Sequence, residues 1–330
     1  MHRFKNILLV SDAGVDIAPA LSRAAALTWS NSGQLTIARV VRPAELEWLS
    51  RLGAAGTEIA AGLKAEHEAE LAGVAEEARK LGVEAETRLL WGEPFFALIQ
   101  QVLRDGHDLV MKVAEGPVRG LQQRLFGSTD QHLMRKCPCP VWLFRPSHSE
   151  RFQSVLAAVD VEGADRDGLN ARVVQLASSL AVREGAELHL VHAWSVYGEI
   201  LLRRPGRGIG EELLKELLVD TRRARQERLK ELARAEAVAE SAPKLHLVKA
   251  AAPLGIRHTA RRVKADVVVM GTLSRAGVQG FLIGNTAEAV LSQLNCAVLT
   301  VKPAEFRSPV TLEETAAVRT STAEEAVTTV

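Results

Sequence analysis

Along the chain, short apolar runs alternate with longer Ala- and Leu-rich stretches, and the whole alternation occurs twice. Residues 7–12 read ILLVSD and residues 155–160 read VLAAVD, each a short predicted strand that ends in an acid. A polar loop and an Ala/Leu-rich helical stretch follow each, near 18–30 and 169–183. Second strands are predicted at LTIARVV (35–41) and LHLVHAW (188–194), and third strands near 84–90 and 244–250. Fourth strands fall at DLVM (108–111) and DVVVM (266–270), uninterrupted apolar runs of the kind covered on both faces. In each half a long insertion that ends in a helix separates the second and third strands. The third strand then leads to a proline, Pro94 or Pro253, and another helix.

The ends of the halves match best. Phe126-Gly127-Ser128-Thr129 corresponds to Ile283-Gly284-Asn285-Thr286, and Cys139-Pro140-Val141 to Cys296-Ala297-Val298. Each half closes with a fifth strand and a proline, Pro146 or Pro303. Strands alternating with helices imply parallel sheets with right-handed crossovers. The predicted fold is therefore α/β: two tandem, doubly wound domains, each with a parallel five-stranded sheet. The first spans 1–147 and the second 152–303, joined by the polar stretch Ser147 to Arg151. The tail 304–330, rich in Thr, Ala and Glu, is expected to be disordered. The edges Val141 to Phe144 and Ala297 to Val301 are expected to pair, making an internal pseudo-dimer about a rough twofold.

Composition narrows the function classes. The 330 residues are 47% hydrophobic and 25% charged, normal for a soluble chain of two domains. Lys plus Arg is 41 against 40 for Asp plus Glu, which argues against a chain built to coat nucleic acid. Apolar runs such as Ile7 to Val10 and Val267 to Met270 fall far short of the roughly 20 residues of a spanning helix. Asp12 ends the first run where a secretory signal would continue. Cys137, Cys139 and Cys296 are too few for a disulfide framework or a structural zinc site, so the reducing cytoplasm is the expected location.

Several constellations invite a chemical reading. A basic loop, RRPGRGIG (203–210), precedes a long helix in which Leu213, Leu217, Leu229 and Leu232 form a predicted apolar stripe. Arg222, Arg223, Arg225 and Arg228 read as its solvated face, because Glu227 and Glu231 are interleaved. His189 and His192, three apart on a strand, point to opposite faces and cannot share a metal. Cys137-x-Cys139 lacks the two-residue spacing of redox and zinc motifs. Cys139 and Cys296 read as small buried residues and Cys137, beside Lys136, as the exposed thiol. There is no Gly-x4-Gly-Lys-Ser/Thr and no Gly-x-Ser-x-Gly, and no acid, base and nucleophile stand together.

The stretches MGTLSRAGVQGFLIGNTAEAVL (270–291) and STDQHLMRKCPCPVW (128–142) resemble the universal stress protein family, and within it the tandem E-type group. The resemblance implies an adenine nucleotide alpha hydrolase-like fold and an adenine-nucleotide motif, Gly-x2-Gly-x9-Gly-Ser/Thr, opening after strand 4. Carried over residue by residue, the second half offers Gly271, Ser274, Gly284, Asn285 and Thr286, with Asp160 on ribose hydroxyls. Asp12 is its counterpart in the first half. Such a loop would aim backbone N–H groups and a helix N-terminus at phosphate. Two departures stand out. Ser274 and Asn285 replace family residues in the second half. In the first, Lys112-Val113-Ala114-Glu115 has lost both early glycines, and only Gly127-Ser128 survives. The resemblance therefore implies a non-enzymatic cytoplasmic stress protein that acts in stress response and survival by binding a protein partner or small ligand. It is expected to act away from nucleic acid and membrane, with a further homodimer left open. The alternative is an ATP- or AMP-binding switch, or a weak ATPase, using the second half. A retained Gly271 and Gly284 would otherwise serve turn geometry alone.

Overall fold

The computed structural model describes residues 4–42, 47–114, 128–145, 151–162, 168–196, 198–203, 210–238, 240–272, 290 and 294–312. The first half runs β1 (Asn6–Val10), α1 (Ala18–Asn31), β2 (Gln34–Val41), α2 (Glu47–Ser50), α3 (Gly53–Lys80), β3 (Ala85–Trp91), α4 (Pro94–Asp105), β4 (Leu109–Val113), α5 (Ser128–Lys136) and β5 (Val141–Phe144). The second runs β6 (Ser154–Ala158), α6 (Leu169–Glu184), β7 (Glu187–Trp194), α7 (Glu199–Leu202), α8 (Glu211–Glu236), β8 (Lys244–Lys249), α9 (Ala252–Arg262), β9 (Val267–Gly271) and β10 (Ala297–Val301).

Among the described residues all ten strands form one sheet, in the order β3-β2-β1-β4-β5-β10-β9-β6-β7-β8. Every pairing within a half is parallel. The halves meet where β5 and β10 run antiparallel, with Leu143 opposite Val298 and Trp142 opposite Leu299. One half is thus turned about a twofold relative to the other, which is the expected internal pseudo-dimer. A matching device starts each half. Asp108, before β4, accepts the N–H groups of Lys5 and Asn6, and Asp266, before β9, accepts those of Gln153 and Ser154.

Alternation along each strand divides the core between the two faces of the sheet. Ile7 and Leu9 point to a cluster beneath α1, α3, α6 and α8, whereas Leu8 and Val10 point to one beneath α4, α5 and α9. Both clusters run through both halves. At the seam Trp142 stacks on Phe144 at 4.9 Å and lies 6.1 Å from Phe152. Arg23 of α1 reaches Glu184 of α6 at 2.6 Å, with both side chains largely buried, and lies over the Phe152 ring. A core shared in this way should unfold as one unit. Trp142→Ala is expected to remove about 3–5 kcal/mol and to leave a single urea transition at lower midpoint. A biphasic curve, with one half surviving, would contradict a shared core.

Two expectations change. In α8 the leucine stripe is displaced: Leu214 and Leu229 are buried, while Leu213 and Leu217 are exposed. The residues after β10 do not leave the fold at once. Val310 is buried against the second cluster, and the Thr311 carbonyl accepts from Gln100 of α4. The remainder of the tail lies outside the described residues.

Candidate functional site

In each half the strand order reverses between the first and fourth strands, β1 and β4 or β6 and β9. Open α/β sheets take ligands at the carboxyl ends of strands flanking such a reversal. Asp12 and Asp160 follow β1 and β6 there, so the topology brings each acid beside the end of the fourth strand.

In the second half, Asp160 sits on a loop that is firmly tied. Its N–H donates to Asn170 Oδ1 at 3.1 Å, and Asn170 Nδ2 donates back to its carbonyl at 2.7 Å. The Glu162 N–H donates to Asp160 Oδ1 at 2.9 Å, a local turn typical of Asp. The carboxylate remains 54% exposed. His192 of β7 lies behind it, 3.2 Å from the Val159 carbonyl, and burial lowers its pKa, which keeps the ring neutral at pH 7. From α8, Arg228 donates to the Val161 and Glu162 carbonyls, and Arg225 approaches the Glu162 carboxylate at 3.9 Å. Of the four arginines read as a solvated face, these two brace the Asp160 loop.

Gly271 ends β9 beside this loop. A Cβ there would stand 2.6 Å from Leu169 Cδ2, so the first residue of α6 packs onto the bare backbone. Close packing accounts for this glycine. The next residue, Thr272, accepts a 2.6 Å hydrogen bond from Lys302 Nζ. Ser274, Gly284, Asn285 and Thr286 lie outside the described residues, so the structure brings together only Asp160 and Gly271 of the expected set.

The first half is built differently at the same positions. Lys112 of β4 is 1% exposed, and its ammonium lies 2.8 Å from Asp12 Oδ2 and 2.9 Å from Asp130 Oδ1 of α5. Asp12 is correspondingly less exposed, at 33%. Arg39 of β2 stands where His192 stands in the second half. It donates to the Ser11 carbonyl at 3.0 Å and pairs with Glu70 of α3. Burial lowers the Arg39 pKa, against the attraction of Asp12. The cations that face Asp12 thus belong to the protein itself, and Lys112 is turned inward. Sequence reading took Lys112 only as part of the segment that has lost the early glycines. It missed the pairing, although the repeat carried the signal: Lys112 and Asp130 correspond to Met270 and Ala287 in the other half. A strand lysine and a helix acid occur together in one copy and are absent together from the other. Glu115 and Gly127 lie outside the described residues.

His189 does face away from His192; it pairs with His246 of β8 at 2.9 Å. Among the described residues no three His, Cys, Asp or Glu side chains are grouped to hold a metal ion. All three thiols are free and buried, Cys137 included, which corrects its reading as the exposed one. Burial pushes the Cys296 pKa up to about 12. At pH 8 its thiolate is therefore on the order of 1 in 10⁴. Native-state labelling with a maleimide should leave Cys296 unmodified long after free glutathione is consumed, and prompt labelling would contradict its burial.

Two α/β units sharing one sheet, each with an acid at its reversal point, define a tandem two-domain architecture. The sequence profile described as the Universal stress protein family matches residues 3–145 and 151–302, and the chain belongs to that family, with two copies of its domain in tandem. It is 30% identical over 320 residues to Universal stress protein E of Escherichia coli (strain K12), covering 95% of this chain and 99% of that protein. Similarity extends to Universal stress protein E of Photorhabdus laumondii, 28% identical over 94% of this chain and 98% of that one. Among solved structures, a universal stress protein from Archaeoglobus fulgidus shares the fold, with a TM-score of 0.61 at 16% identity over 90% of this chain and 98% of that one. Family membership carries a stress-response role. Among the described residues no helix is long and apolar enough to cross a membrane.

Proposed function

We propose that the chain serves stress survival in the cytoplasm by binding rather than by turnover, and that its second half receives the ligand, an adenine nucleotide such as ATP or AMP. The observation that supports this most is the contrast between the two acids. Asp160 keeps a half-exposed carboxylate on a braced loop at the sheet reversal, the place for ribose hydroxyls. Asp12 is held by Lys112.

Equilibrium dialysis with labelled ATP, run beside a phosphate-release assay on the same sample, tests this reading. Retained label with phosphate release at the buffer rate supports it. Retained label with sustained release would favour the weak-ATPase alternative. No retention of ATP or AMP would reject a nucleotide as the ligand and leave a protein partner.

A further inference from the structure

The sulfurs of Cys137 and Cys139 lie 3.5 Å apart, at the turn between α5 and β5 where the two halves meet. Both residues are buried, and Pro138 between them restricts the backbone of the turn. A cation from the other half serves this turn. Lys302, which follows β10 and is 2% exposed, donates to the Met134 carbonyl and, at 3.1 Å, to the Arg135 carbonyl at the end of α5. Arg145, the counterpart of Lys302 after β5, reaches into the other half in turn, donating to the Leu294 carbonyl, two residues before Cys296, at 2.8 Å. The two halves therefore exchange cations, but only the first half has a second thiol beside the first. A lone Cys296 needs no neighbouring partner to be a small buried residue; a pair of sulfurs 3.5 Å apart that also feels the charge of Lys302 is a different chemical object.

We propose that Cys137 and Cys139 are a peroxide-sensitive dithiol, oxidised reversibly to a disulfide at the seam between the halves, with Lys302 favouring the reactive thiolate. Cys137 is the attacking sulfur. Burial pushes its pKa up, but the hydrogen bonds from the Cys139 thiol and backbone, together with Lys302, outweigh this and leave it lowered. The Cys139 pKa is raised, first by that same thiol hydrogen bond and then by burial, so Cys139 keeps the proton. Burial brings the Lys302 pKa down to about 7, against the pull of the two sulfurs. The ammonium can therefore release a proton near neutrality.

The chemistry balances with hydrogen peroxide as the oxidant. The Cys137 thiolate attacks one peroxide oxygen, the O–O bond breaks, and hydroxide leaves, taking a proton from Lys302 or solvent. Cys137 is now a sulfenic acid. The Cys139 sulfur attacks the Cys137 sulfur, the S–O bond breaks, and the hydroxyl leaves as water with the Cys139 proton. Two thiols are oxidised to one disulfide, and one peroxide is reduced to two waters. The sulfurs need to close by about 1.5 Å. A bridge across one intervening proline forms a small, strained ring, which makes it easy to reduce.

The test exposes the folded chain to hydrogen peroxide and caps remaining thiols with a maleimide in denaturant. The peptide carrying Cys137 and Cys139 is then weighed. The expected peptide is two hydrogens lighter and uncapped, reverts with dithiothreitol, and appears while Cys296 is still fully capped. In Cys139→Ala, Cys137 should become trappable by dimedone as the sulfenic acid. Lys302→Met should slow bridge formation about tenfold, and Lys302→Arg should restore it. The idea is overturned if both cysteines remain capped after exposure that oxidises glutathione completely, or if Cys296 is oxidised at the same rate. An unchanged rate in folded Lys302→Met would remove the lysine from the proposal. Should that variant not fold, the wild-type mass measurement still decides whether the dithiol exists.

Discussion

Lys112→Met is expected to destabilise the chain by about 3–5 kcal/mol, the usual result of removing one partner from a buried charge cluster. Asp130, fully buried on α5, would lose the ammonium 2.9 Å away, and Asp12 would lose its neighbour at 2.8 Å. Urea unfolding measures the loss. The informative companion is the double variant Lys112→Met/Asp130→Ala, which installs the pair found in the second half, Met270 and Ala287. With neither charge present, most of the stability should return, so the two changes together cost less than Lys112→Met alone. Buried ion clusters often behave this way, because isolating a charge is worse than omitting it. A loss under about 1 kcal/mol for Lys112→Met would show that the cluster is not the closed structural element described above. So would a double variant at least as unstable as the sum of the singles.

Asp160→Asn is expected to weaken nucleotide binding by about 10- to 100-fold, while Asp12→Asn leaves it within about twofold. Hydrogen bonds from ligand hydroxyls to an ionised carboxylate contribute roughly 1.5–3 kcal/mol, and an amide accepts them less well. Asp160 retains a half-exposed carboxylate at the sheet reversal. Asp12 is turned to Lys112, and Arg39 stands behind it. Ser274→Gly should tighten binding by restoring the family residue and the close backbone approach it allows. Equal weakening by both acid substitutions would mean that the halves are equivalent, against the asymmetry in their charges.

Much of the fold was legible because each strand is a compact apolar run ending at a polar punctuation, and because the pattern is written twice. The pairing of β5 with β10 followed from matching edges. What stayed hidden has specific physical causes. The α8 sequence carries adjacent leucines, Leu213-Leu214 and Leu217-Leu218, so periodicity alone does not say which of each pair faces the core. Local sequence places Lys136 beside Cys137. The cation that serves the turn is Lys302, brought in from the other half by the β5–β10 pairing. Gly271 was read through phosphate approach, yet Leu169 packs against it, a contact between distant segments. Asp160 and Asp12 look alike in sequence. The sheet register, which sets Val10 against Lys112 and Ala158 against Met270, shows why a lysine reaches Asp12 while the corresponding strand position beside Asp160 is a methionine.

Isothermal titration of the wild-type chain with AMP and with ATP, repeated on Asp160→Asn and Asp12→Asn, tests the division between the halves most directly. One site per chain, strongly weakened in Asp160→Asn and retained in Asp12→Asn, is the predicted result. Two sites per chain, or a single site lost in Asp12→Asn and kept in Asp160→Asn, would contradict it.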